Sequence, residues 1–510
     1  IIMRRKIIAV LIVSISILNW QWIFGSNNDK KQITVLHTND IHGSFVPRKV
    51  KPKKTSKIRK ELGGVLALNY FVNQIRSQEE NVLLLDAGDF MTGNPICEIE
   101  YQGALGGAMV EFFNLIKYDG LTPGNHEFDI SLDNIGNLIK IAKFPIFSAN
   151  LFTIDGKLFT ENGYHIYHKN GLAVGVIGVI LDDLQEFINA PQKNQILVKQ
   201  SIEVVDSLAK AIDRQTDLII ILSHCGIEHD KRIAEKTGDE IDVIIGGHSH
   251  TTLKKAKMVN GKIIVQTGSH CRNLGRLDLV VENDKVAHFD YKLIPLWNEN
   301  ITPDPEIAEK VAYFQKEIDK EYGKVIGKLL KPWYRSHNNE SNIGNFIADV
   351  IREYANADIA GINSGGIRQN LSAGSIRKFD IKNILPFNNT VTTFITSGND
   401  ILKFVELNAR ASAYRLHGIL QISGLKYEYQ KTDNNQVKIL KVMVNGKPLD
   451  PQGSYKFATV DFVVSNADKY LGFQPKEVRN LMMPLSELVM KTIEERKEVS
   501  SKVEGRILKK

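Results

Sequence analysis

Thr122-Pro123-Gly124-Asn125-His126-Glu127-Phe128-Asp129 is the stretch of this 510-residue chain on which the fold prediction depends. Its Pro-Gly pair indicates a loop, so the side chains that follow are expected to leave a sheet at the end of a strand. Asn125 offers an amide oxygen to a metal ion. His126 can donate to a developing oxyanion, and Asp129 is near enough in sequence to orient that imidazole. A Pro-Gly turn alone is common, so the interpretation depends on four other stretches.

Each of these four stretches places metal-capable side chains after a short apolar run that predicts a strand. Asp40 and His42 follow the run 33–36, and Asp89 follows the run 81–85. His224 follows the run 217–222, and His248 and His250 follow the run 242–245. Open α/β sheets bind ligands beyond the carboxyl ends of their strands. For one histidine alone, a surface or core position would be the better interpretation. Five strand ends with the same pattern make that interpretation improbable.

The collected side chains divide into the ligands of two metal ions that share Asp89. One set is Asp40, His42, Asp89 and His250, and the other is Asp89, Asn125, His224 and His248. Mixed oxygen and imidazole ligands suit zinc, manganese or iron better than calcium. Two ions about 3.5–4 Å apart can clamp the attacking and leaving oxygens of a phosphoryl displacement. The sequence therefore predicts two divalent metal ions, zinc, manganese or similar, as cofactors.

Composition and charge set the class of protein. An apolar fraction of 43% and a charged fraction of 24% describe an ordinary globular chain. Its length predicts two or more domains. The net charge is +7, and residues 48–60 alone hold eight basic side chains, so the basicity is local. The favoured interpretation of this run is a solvated lysine-rich loop, and the alternative is weak attraction to phosphate-bearing substrates or an anionic surface. No aromatic residues are interleaved with it, so we predict no nucleic-acid partner.

Residues 1–26 predict a signal peptide or an N-terminal anchor. Arg4, Arg5 and Lys6 precede the apolar run 7–18, which has signal-peptide length. Extended to Phe24, the run reaches the lower limit for a membrane span. We therefore predict an exported protein that is periplasmic, secreted or associated with the cell envelope, with membrane association through this segment left open. The three cysteines cannot form a disulfide framework, so free buried thiols are favoured.

The motifs at 39–43, 87–89, 124–127, 223–224 and 247–250 resemble those of the 5′-nucleotidase family. The resemblance covers essentially everything after the leader. It implies an α/β fold in which a four-layer metallophosphatase sandwich, two mixed sheets between helices, is joined by a linker helix to a smaller α/β (α+β) nucleotide-binding domain. We place these parts at 32–296, 297–326 and 327–506. In that family the pair matching His126 and Asp129 stabilises the transition state. The position of His250 is glutamine in some relatives, and histidine keeps a ligand there.

The second domain contains the predicted substrate site. A predicted strand at 358–362 leads to paired glycines and Arg368, whose forked guanidinium suits phosphate. Phe387 follows a predicted helix, and Phe462 lies in a predicted strand at 455–463. From the residues alone both phenylalanines would be core. The resemblance implies instead that they sandwich a base, with Asp468 on the ribose. The full set that it implies for substrate binding is Arg335, Asn363, Gly366, Arg368, Phe387, Asn389, Phe462 and Asp468.

These features together predict an exported dimetal phosphohydrolase that releases phosphate from nucleoside 5′-monophosphates by attack of a metal-bound hydroxide. A UDP-sugar hydrolase or 2′,3′-cyclic-nucleotide phosphodiesterase is the alternative among enzymes, since the same ions can cleave diesters. A non-catalytic nucleotide-binding protein is a third interpretation, but it would have no need of both Asp89 and His126. The sequence predicts no oligomeric state.

Overall fold

The computed structural model describes residues 30–52, 56, 58–188, 193–432, 434 and 436–510. The predicted leader at 1–26 lies outside these residues. Within them, no helix is both long and apolar enough to cross a membrane. Membrane association through the leader therefore has no support from the described part of the chain.

The first domain contains two mixed sheets whose central strands are parallel. In the first sheet the strands lie in the order Lys285–Pro295, Asn273–Glu282, Lys31–Thr38, Val82–Asp86, Gly120–Leu121. In the second they lie in the order Lys257–Val259, Lys262–Val265, Val243–Gly246, Leu218–His224, Leu172–Ile180, Tyr164–Lys169. Parallel pairing within each sheet brings the carboxyl ends of its central strands to one edge. The residues that follow these strands thus meet at that edge.

The alternation of side-chain direction along the buried strands explains how the two sheets pack face to face. Successive strand side chains point to opposite faces, so Val35 packs between the two sheets, whereas Leu36 packs against helices. The helices on the outer faces are Val65–Arg76, Gly107–Ile116, Leu132–Ile141, Ser201–Ile212 and Ile227–Lys236. The order of layers is helix, sheet, sheet, helix, and the predicted four-layer architecture is confirmed.

The helix Pro305–Tyr322 lies within the predicted linker. Asp304 begins it by accepting hydrogen bonds from the amides of Glu306 and Ile307. Its buried side chains include Phe314 and Ile318, which join the core of the first domain. The helix therefore packs on the first domain before the chain enters the second. The exact domain boundaries stay a prediction.

The second domain packs helices against a five-stranded sheet and has two smaller sheets. The five strands lie in the order Leu420–Ser423, Ile359–Asn363, Ser454–Val460, Thr390–Ser397, Lys476–Pro484. The smaller sheets are Gly374–Arg377, Val325–Leu329, Glu498–Val499 and Lys447–Pro448, Val437–Val444, Leu425–Lys431, Ile507–Lys509. The helices are Asn342–Ala355, Lys378–Ile384, Gly398–Tyr414, Asp461–Ser465, Ala467–Tyr470 and Leu485–Arg496. One continuous core joins these elements, so the second domain is a separate α/β unit.

Two local predictions from the sequence differ from the structure. The strand predicted at 455–463 ends at Val460, and a short helix, Asp461–Ser465, follows. The Asp461 carboxylate accepts hydrogen bonds from the Phe462 amide and from Thr390 Oγ1, which favours a helical turn at this point. The basic run was expected to be a solvated loop, but its ends form the antiparallel strands Arg48–Val50 and Lys60–Leu62. Residues 53–55 and 57 lie outside the described part.

All three cysteines are free thiols, as the sequence favoured. Cys97 and Cys271 are buried, and Cys225 is half-buried. Burial raises the pKa of the Cys225 thiol well above its ordinary value. Cys225 directly follows His224 but belongs to neither group of metal-capable side chains in the described part of the chain.

Candidate metal centre and substrate site

The metal-capable side chains predicted from the sequence meet at the carboxyl edge of the two sheets. They form two groups, and the ligand atoms of each group lie within 4.8 Å of one another. The first group is Asp40, His42, Asp89 and His250, and the second is Asp89, His224 and His248. Asp89 belongs to both groups, which is what a carboxylate that bridges two ions requires.

The contacts within these groups fit bound cations. His250 Nε2 lies 2.9 Å from His42 Nε2 and 3.3 Å from Asp40 Oδ1. His224 Nε2 lies 3.1 Å from Asp89 Oδ2, yet it is buried and makes no hydrogen bond of good geometry. A buried nitrogen without a hydrogen bond is costly unless another partner satisfies it. The residues present therefore fit metal ions, although they do not identify the metal.

Asn125 extends the second group. Its Oδ1 lies 2.9 Å from His248 Nδ1, and it begins the 3₁₀ helix Asn125–Phe128. The preceding residue must be glycine, because a Cβ on Gly124 would lie 2.3 Å from Asp89 Oδ1 and 2.6 Å from His224 Nε2. The sequence-predicted Pro-Gly turn is thus the point at which this loop packs directly on two ligands.

Backbone carbonyls orient two of the ligating histidines. His42 Nδ1 lies 2.9 Å from the carbonyl oxygen of Thr92, and His224 Nδ1 lies 2.5 Å from that of Ala87. Since a carbonyl oxygen only accepts, Nδ1 carries the proton in each ring and Nε2 is left to bind a cation. Burial also lowers the pKa of His42 well below its ordinary value and that of His248 to about 4. Neutral rings are the form that binds metal.

The ligands lie on strained backbone. Positive φ angles occur at Asp40, His42, Asp89, His248 and His250, with values between 50° and 67°. This left-handed region is unfavourable for residues with a Cβ and persists where surrounding contacts hold it. The Asp40 amide donates to the Gly88 carbonyl at 2.8 Å, and the His42 amide donates to the Asp89 carbonyl at 2.9 Å. The loops after neighbouring strands therefore hold each other in the conformation that presents the ligands.

His126 lies beside the bridging carboxylate and is oriented by Asp129. Its Nδ1 lies 2.7 Å from Asp129 Oδ2, which also accepts a hydrogen bond from Thr92 Oγ1 at 2.6 Å. His126 Nε2 lies 3.8 Å from Asp89 Oδ2. Burial lowers the pKa of His126, but the charges of Asp89 and Asp129 raise it by more than burial lowers it. The pKa of His126 therefore lies above its ordinary value. Because Asp129 accepts from Nδ1, a proton on Nε2 requires the imidazolium form, which the charge of Asp129 favours.

Glu127 is a site residue to which sequence reasoning gave no role. Its carboxylate accepts hydrogen bonds from three amides, those of Asp89 at 3.0 Å, Met91 at 3.0 Å and Gly124 at 2.6 Å. Burial and the charge of Asp89 raise the pKa of Glu127 to about 7. Glu127 thereby ties the loop of Asp89 to the loop of Asn125. Its place inside the central motif was the available signal, but the motif alone does not show which amides it holds.

Two of the predicted substrate residues lie beside His126, the candidate catalytic residue next to the metal-ligand groups. The Phe387 ring centroid lies 5.6 Å from that of His126, and the Arg368 guanidinium lies 5.8 Å from the centre of the Phe387 ring. The charges of Asp89, Asp129 and Asp40 act on Arg368 and oppose the lowering of its pKa by burial. Arg335 donates to the Arg368 carbonyl at 3.3 Å. The structure thus brings Arg335, Arg368 and Phe387 of the second domain to the site of the first.

The other predicted substrate residues are less closely tied to this site. Asn363, Gly366 and Asn389 are buried, and Asn363 Oδ1 has no hydrogen-bond partner. Phe462 is half-buried, packs on the core of the second domain and lies 6.1 Å from the Tyr470 ring. Asp468 is exposed and accepts a hydrogen bond from Gln474. A base sandwich between Phe387 and Phe462 therefore stays a prediction.

A second contact between the domains was missed entirely. The Phe187 ring packs edge-on against the His248 ring at 5.1 Å, and Lys469 Nζ lies 4.5 Å above the Phe187 ring. Lys469 directly follows Asp468, so this contact joins a metal ligand to the predicted ribose-binding segment. Neither residue belongs to a motif, and no sequence signal pointed to the contact.

Comparison with known proteins identifies the class of protein to which this fold and this site belong. Residues 33–252 match the family model of calcineurin-like phosphoesterases, and residues 325–474 match that of the 5′-nucleotidase C-terminal domain. The chain belongs to the two-domain 5′-nucleotidase family of metal-dependent phosphoesterases. The predicted family, enzyme class and fold are thereby confirmed.

Individual relatives match along most of the chain. An apyrase of Tabanus yao is 28% identical over 490 residues, which cover 86% of each chain. The 5′-nucleotidase of Homo sapiens is 28% identical over 492 residues, covering 87% of this chain and 84% of the relative. The solved structure of a 5′-nucleotidase precursor from Thermus thermophilus has a TM-score of 0.84 at 24% identity and covers 94% of this chain and 99% of that one. At this identity, the structural match supports the fold alone.

Proposed function

We propose that this protein is an exported dimetal hydrolase that releases phosphate from nucleoside 5′-monophosphates. One observation carries the proposal, namely that Arg368 and Phe387 of the second domain face His126 and Asp89 of the first. A phosphate group at the metal ligands would meet a guanidinium, and the rest of the ester would lie against the second domain. The relatives that carry the name 5′-nucleotidase support this choice of substrate.

The roles of the residues follow from their geometry. Two divalent ions, zinc, manganese or similar, would supply activation of water and charge neutralisation when bound to the two ligand groups. His126, held by Asp129, would donate from Nε2 to a phosphoryl oxygen as charge develops on it. Arg368 would bind the phosphate with its forked donors. Glu127 would hold the loops of Asp89 and Asn125 in their positions relative to each other.

Substrate selection is proposed to come from the second domain. Phe387 and Phe462 would stack on the base, Asp468 would bind the ribose, and Arg335, Asn363, Gly366 and Asn389 would complete the site. Stacking tolerates every base because each base has a π-face. Purine and pyrimidine monophosphates are therefore both expected substrates. Export is proposed on residues 1–26 alone, through the basic and apolar pattern of that segment.

Phosphate release from a panel of substrates tests the proposal. Adenosine and uridine monophosphates should both be hydrolysed, chelation should abolish the reaction, and readdition of zinc or manganese should restore it. Faster hydrolysis of a UDP-sugar or a 2′,3′-cyclic nucleotide would favour the alternative diester chemistry. Nucleotide binding without release of phosphate from any substrate, in metal-loaded protein, would contradict the proposal and favour a binding protein.

A further inference from the structure

Three basic side chains border the metal-ligand groups and have no part in the proposed hydrolysis. Arg48 lies in the strand Arg48–Val50, and His270 and Arg272 lie in the turn before the strand Asn273–Glu282. The His270 ring centroid lies 5.5 Å from that of His42 and 5.9 Å from that of His250. We refer to Arg48, His270 and Arg272 as the basic group. Its member His270 lies at the margin of the first metal-ligand group. The two arginines lie on adjoining segments, since Arg48 pairs with Leu62, Leu62 bridges to Trp297, and the Leu296 amide bonds to the Arg272 carbonyl.

No carboxylate within the described part of the chain neutralises this group. Neither Arg48 nor Arg272 makes a side-chain hydrogen bond or a salt bridge with a described residue. Burial, together with the charge of Arg272, lowers the pKa of Arg48 to about 10. The two guanidinium groups of Arg48 and Arg272 therefore repel each other, which is unfavourable for partly desolvated cations unless an anion offsets them.

The basic group is open to solvent and held in place by backbone contacts. Arg272 is exposed, and Arg48 and His270 are half-buried, so an anion can reach all three. The His270 amide donates to the Asp40 carbonyl at 2.7 Å, and the Leu296 amide donates to the Arg272 carbonyl at 2.9 Å. Ser269 Oγ lies 2.7 Å from His270 Nδ1 and fixes the ring. The turn that carries two of the three side chains is therefore anchored directly to the loop of the metal ligand Asp40.

We propose that Arg48, His270 and Arg272 form a second phosphate-binding subsite that takes a phosphate group not undergoing hydrolysis. Guanidinium groups match the oxygens of phosphate through paired hydrogen bonds. Two sources supply this chemistry, inorganic phosphate and the additional phosphate of a nucleoside diphosphate. The second source rests on the proposed function, whereas binding of inorganic phosphate does not.

Titration of the chelated protein with inorganic phosphate tests the subsite, because chelation removes binding through the metal ions and the effect of each variant separates the subsite from Arg368. Wild-type protein should bind one phosphate, and Arg48→Gln and Arg272→Gln should each weaken that binding roughly tenfold, the effect of about 1.4 kcal/mol. Arg48→Lys, which keeps the charge but loses the paired donors, should weaken binding less than Arg48→Gln. Lys49→Gln is the matched control, since Lys49 is the exposed neighbour in the same strand and its loss changes the net charge equally. Thermal unfolding of every variant establishes that it is folded.

Two results of this titration would overturn the proposal. One is the absence of phosphate binding in chelated wild-type protein. The other is an equal loss of affinity in Lys49→Gln, which would show that phosphate responds to the diffuse charge of the strand and has no defined subsite.

Kinetics of metal-loaded protein then separate the two sources. If the subsite takes the additional phosphate of a diphosphate, Arg48→Gln should raise the KM for adenosine diphosphate several-fold more than the KM for the monophosphate. If it takes inorganic phosphate, the variant should raise the inhibition constant of phosphate, and both KM values should change alike. A protein that hydrolyses no nucleotide would contradict the proposed function, while the phosphate titration would still decide on the subsite.

Discussion

Glu127 shows at the scale of single residues how much of the site depends on a side chain that belongs to neither metal-ligand group. It accepts from three buried amides, and two of these belong to Asp89 and to the residue before Asn125. Leaving a buried amide without an acceptor costs about 1–3 kcal/mol. The Asp89 loop is also strained, with a φ of 59° at Asp89 itself. Loss of a Glu127 acceptor should therefore release the loop.

Glu127→Gln is expected to lower metal occupancy and to destabilise the protein by about 1–3 kcal/mol, because its amide nitrogen cannot accept from the amides that Glu127 holds. Metal content after dialysis and thermal unfolding are the two measurements. Glu161→Gln is the control, since Glu161 is exposed. Metal content equal to that of wild type in Glu127→Gln would show that the Asp89 loop is held by its other contacts.

Asp242 offers a pH test at a position away from the metal ligands, at the amino end of the strand Val243–Gly246. Burial raises its pKa to about 7, above the ordinary value of a carboxyl in the unfolded chain. The native state therefore binds the Asp242 proton more tightly than the unfolded chain does. The resulting contribution to the free energy of unfolding is complete below about pH 4 and is lost as the pH rises through about 7.

Asp242→Asn removes this dependence while its amide oxygen still accepts from Ile219 N. The stability of the variant relative to wild type should therefore rise between pH 5 and pH 8, by on the order of 1 kcal/mol after solvent screening. Thermal unfolding across this range measures the difference. A difference that stays constant or falls with pH would contradict the raised pKa.

The grouping of the candidate metal ligands could be predicted from sequence because each follows an apolar strand, and parallel strands end at one edge. The roles of Glu127 and Thr92 could not be predicted in this way. Their importance comes from hydrogen bonds to residues 36 to 38 positions away along the chain. The sequence does not show to which distant loop the side chain of an acidic residue or a threonine will form its hydrogen bonds.

At the scale of elements, the site depends on the close packing of the loop after Gly120–Leu121 against the loop after Val82–Asp86. Gly124 is the point of contact, and its φ of −99° is one that any residue can adopt. A substitution there is therefore a purely steric change, since the added Cβ would overlap Asp89 Oδ1 and His224.

Gly124→Ala is expected to abolish activity and to reduce metal binding, because the added methyl group must push the Asp89 loop and the His224 ring apart. Gly136→Ala is a matched control in the helix Leu132–Ile141, where a Cβ would meet nothing within 4 Å. The control should leave activity intact and stabilise the helix by up to about 1 kcal/mol. Activity and metal content are the measurements, and an active, metal-replete Gly124→Ala would refute the tight loop packing.

Most elements could be predicted from periodicity, but their ends depend on local side chains. The helix Leu132–Ile141 follows the apolar pattern directly, and Ser131 caps it by accepting from the Asn134 amide. The strand predicted at 455–463 was too long because the apolar run continues past Val460. Asp461 ends the strand through its own hydrogen bonds, and an apolar pattern alone does not contain that information.

At the scale of the whole molecule, the relative position of the two domains decides whether Arg368 reaches the metal ligands. One contact that sets this position is centred on Glu98 of the first domain. Its carboxylate accepts from Lys382 Nζ at 3.0 Å, in the second-domain helix Lys378–Ile384, and from Tyr322 Oη at 2.8 Å, at the end of the linker helix. Phe379 of the same second-domain helix packs on the first-domain core.

Glu98→Gln should weaken this contact and raise the KM for adenosine monophosphate several-fold. A small aryl phosphate should be affected less, because it shares the proposed Arg368 contact but makes none of the proposed nucleoside contacts of the second domain. Lys382→Gln should have the same effect, because it removes the other half of the ion pair. Steady-state kinetics with both substrates are the measurement. Metal content should stay at the wild-type level, and an equal loss with both substrates that is accompanied by lower metal content would place the effect in the metal site and contradict a role in domain position.

The domain organisation could be predicted from the family resemblance, whereas the docking of the domains could not. The contact of Lys469 with Phe187 joins residues that belong to no motif and lie far apart in the chain. Such contacts arise from the shapes of two separately folded cores. Hydrophobic periodicity and motif spacing carry information about each core separately and none about the contacts between the two cores.

The central claim is that two ions bridged by Asp89 carry the hydrolysis. Titrating metal back into the chelated protein while recording adenosine monophosphate hydrolysis tests it most directly. Activity should reach its maximum at two metal equivalents per chain, and Asp89→Asn should bind less metal and remain inactive at any metal concentration. Full activity at one equivalent, or an Asp89→Asn variant that is active when saturated with metal, would contradict the account.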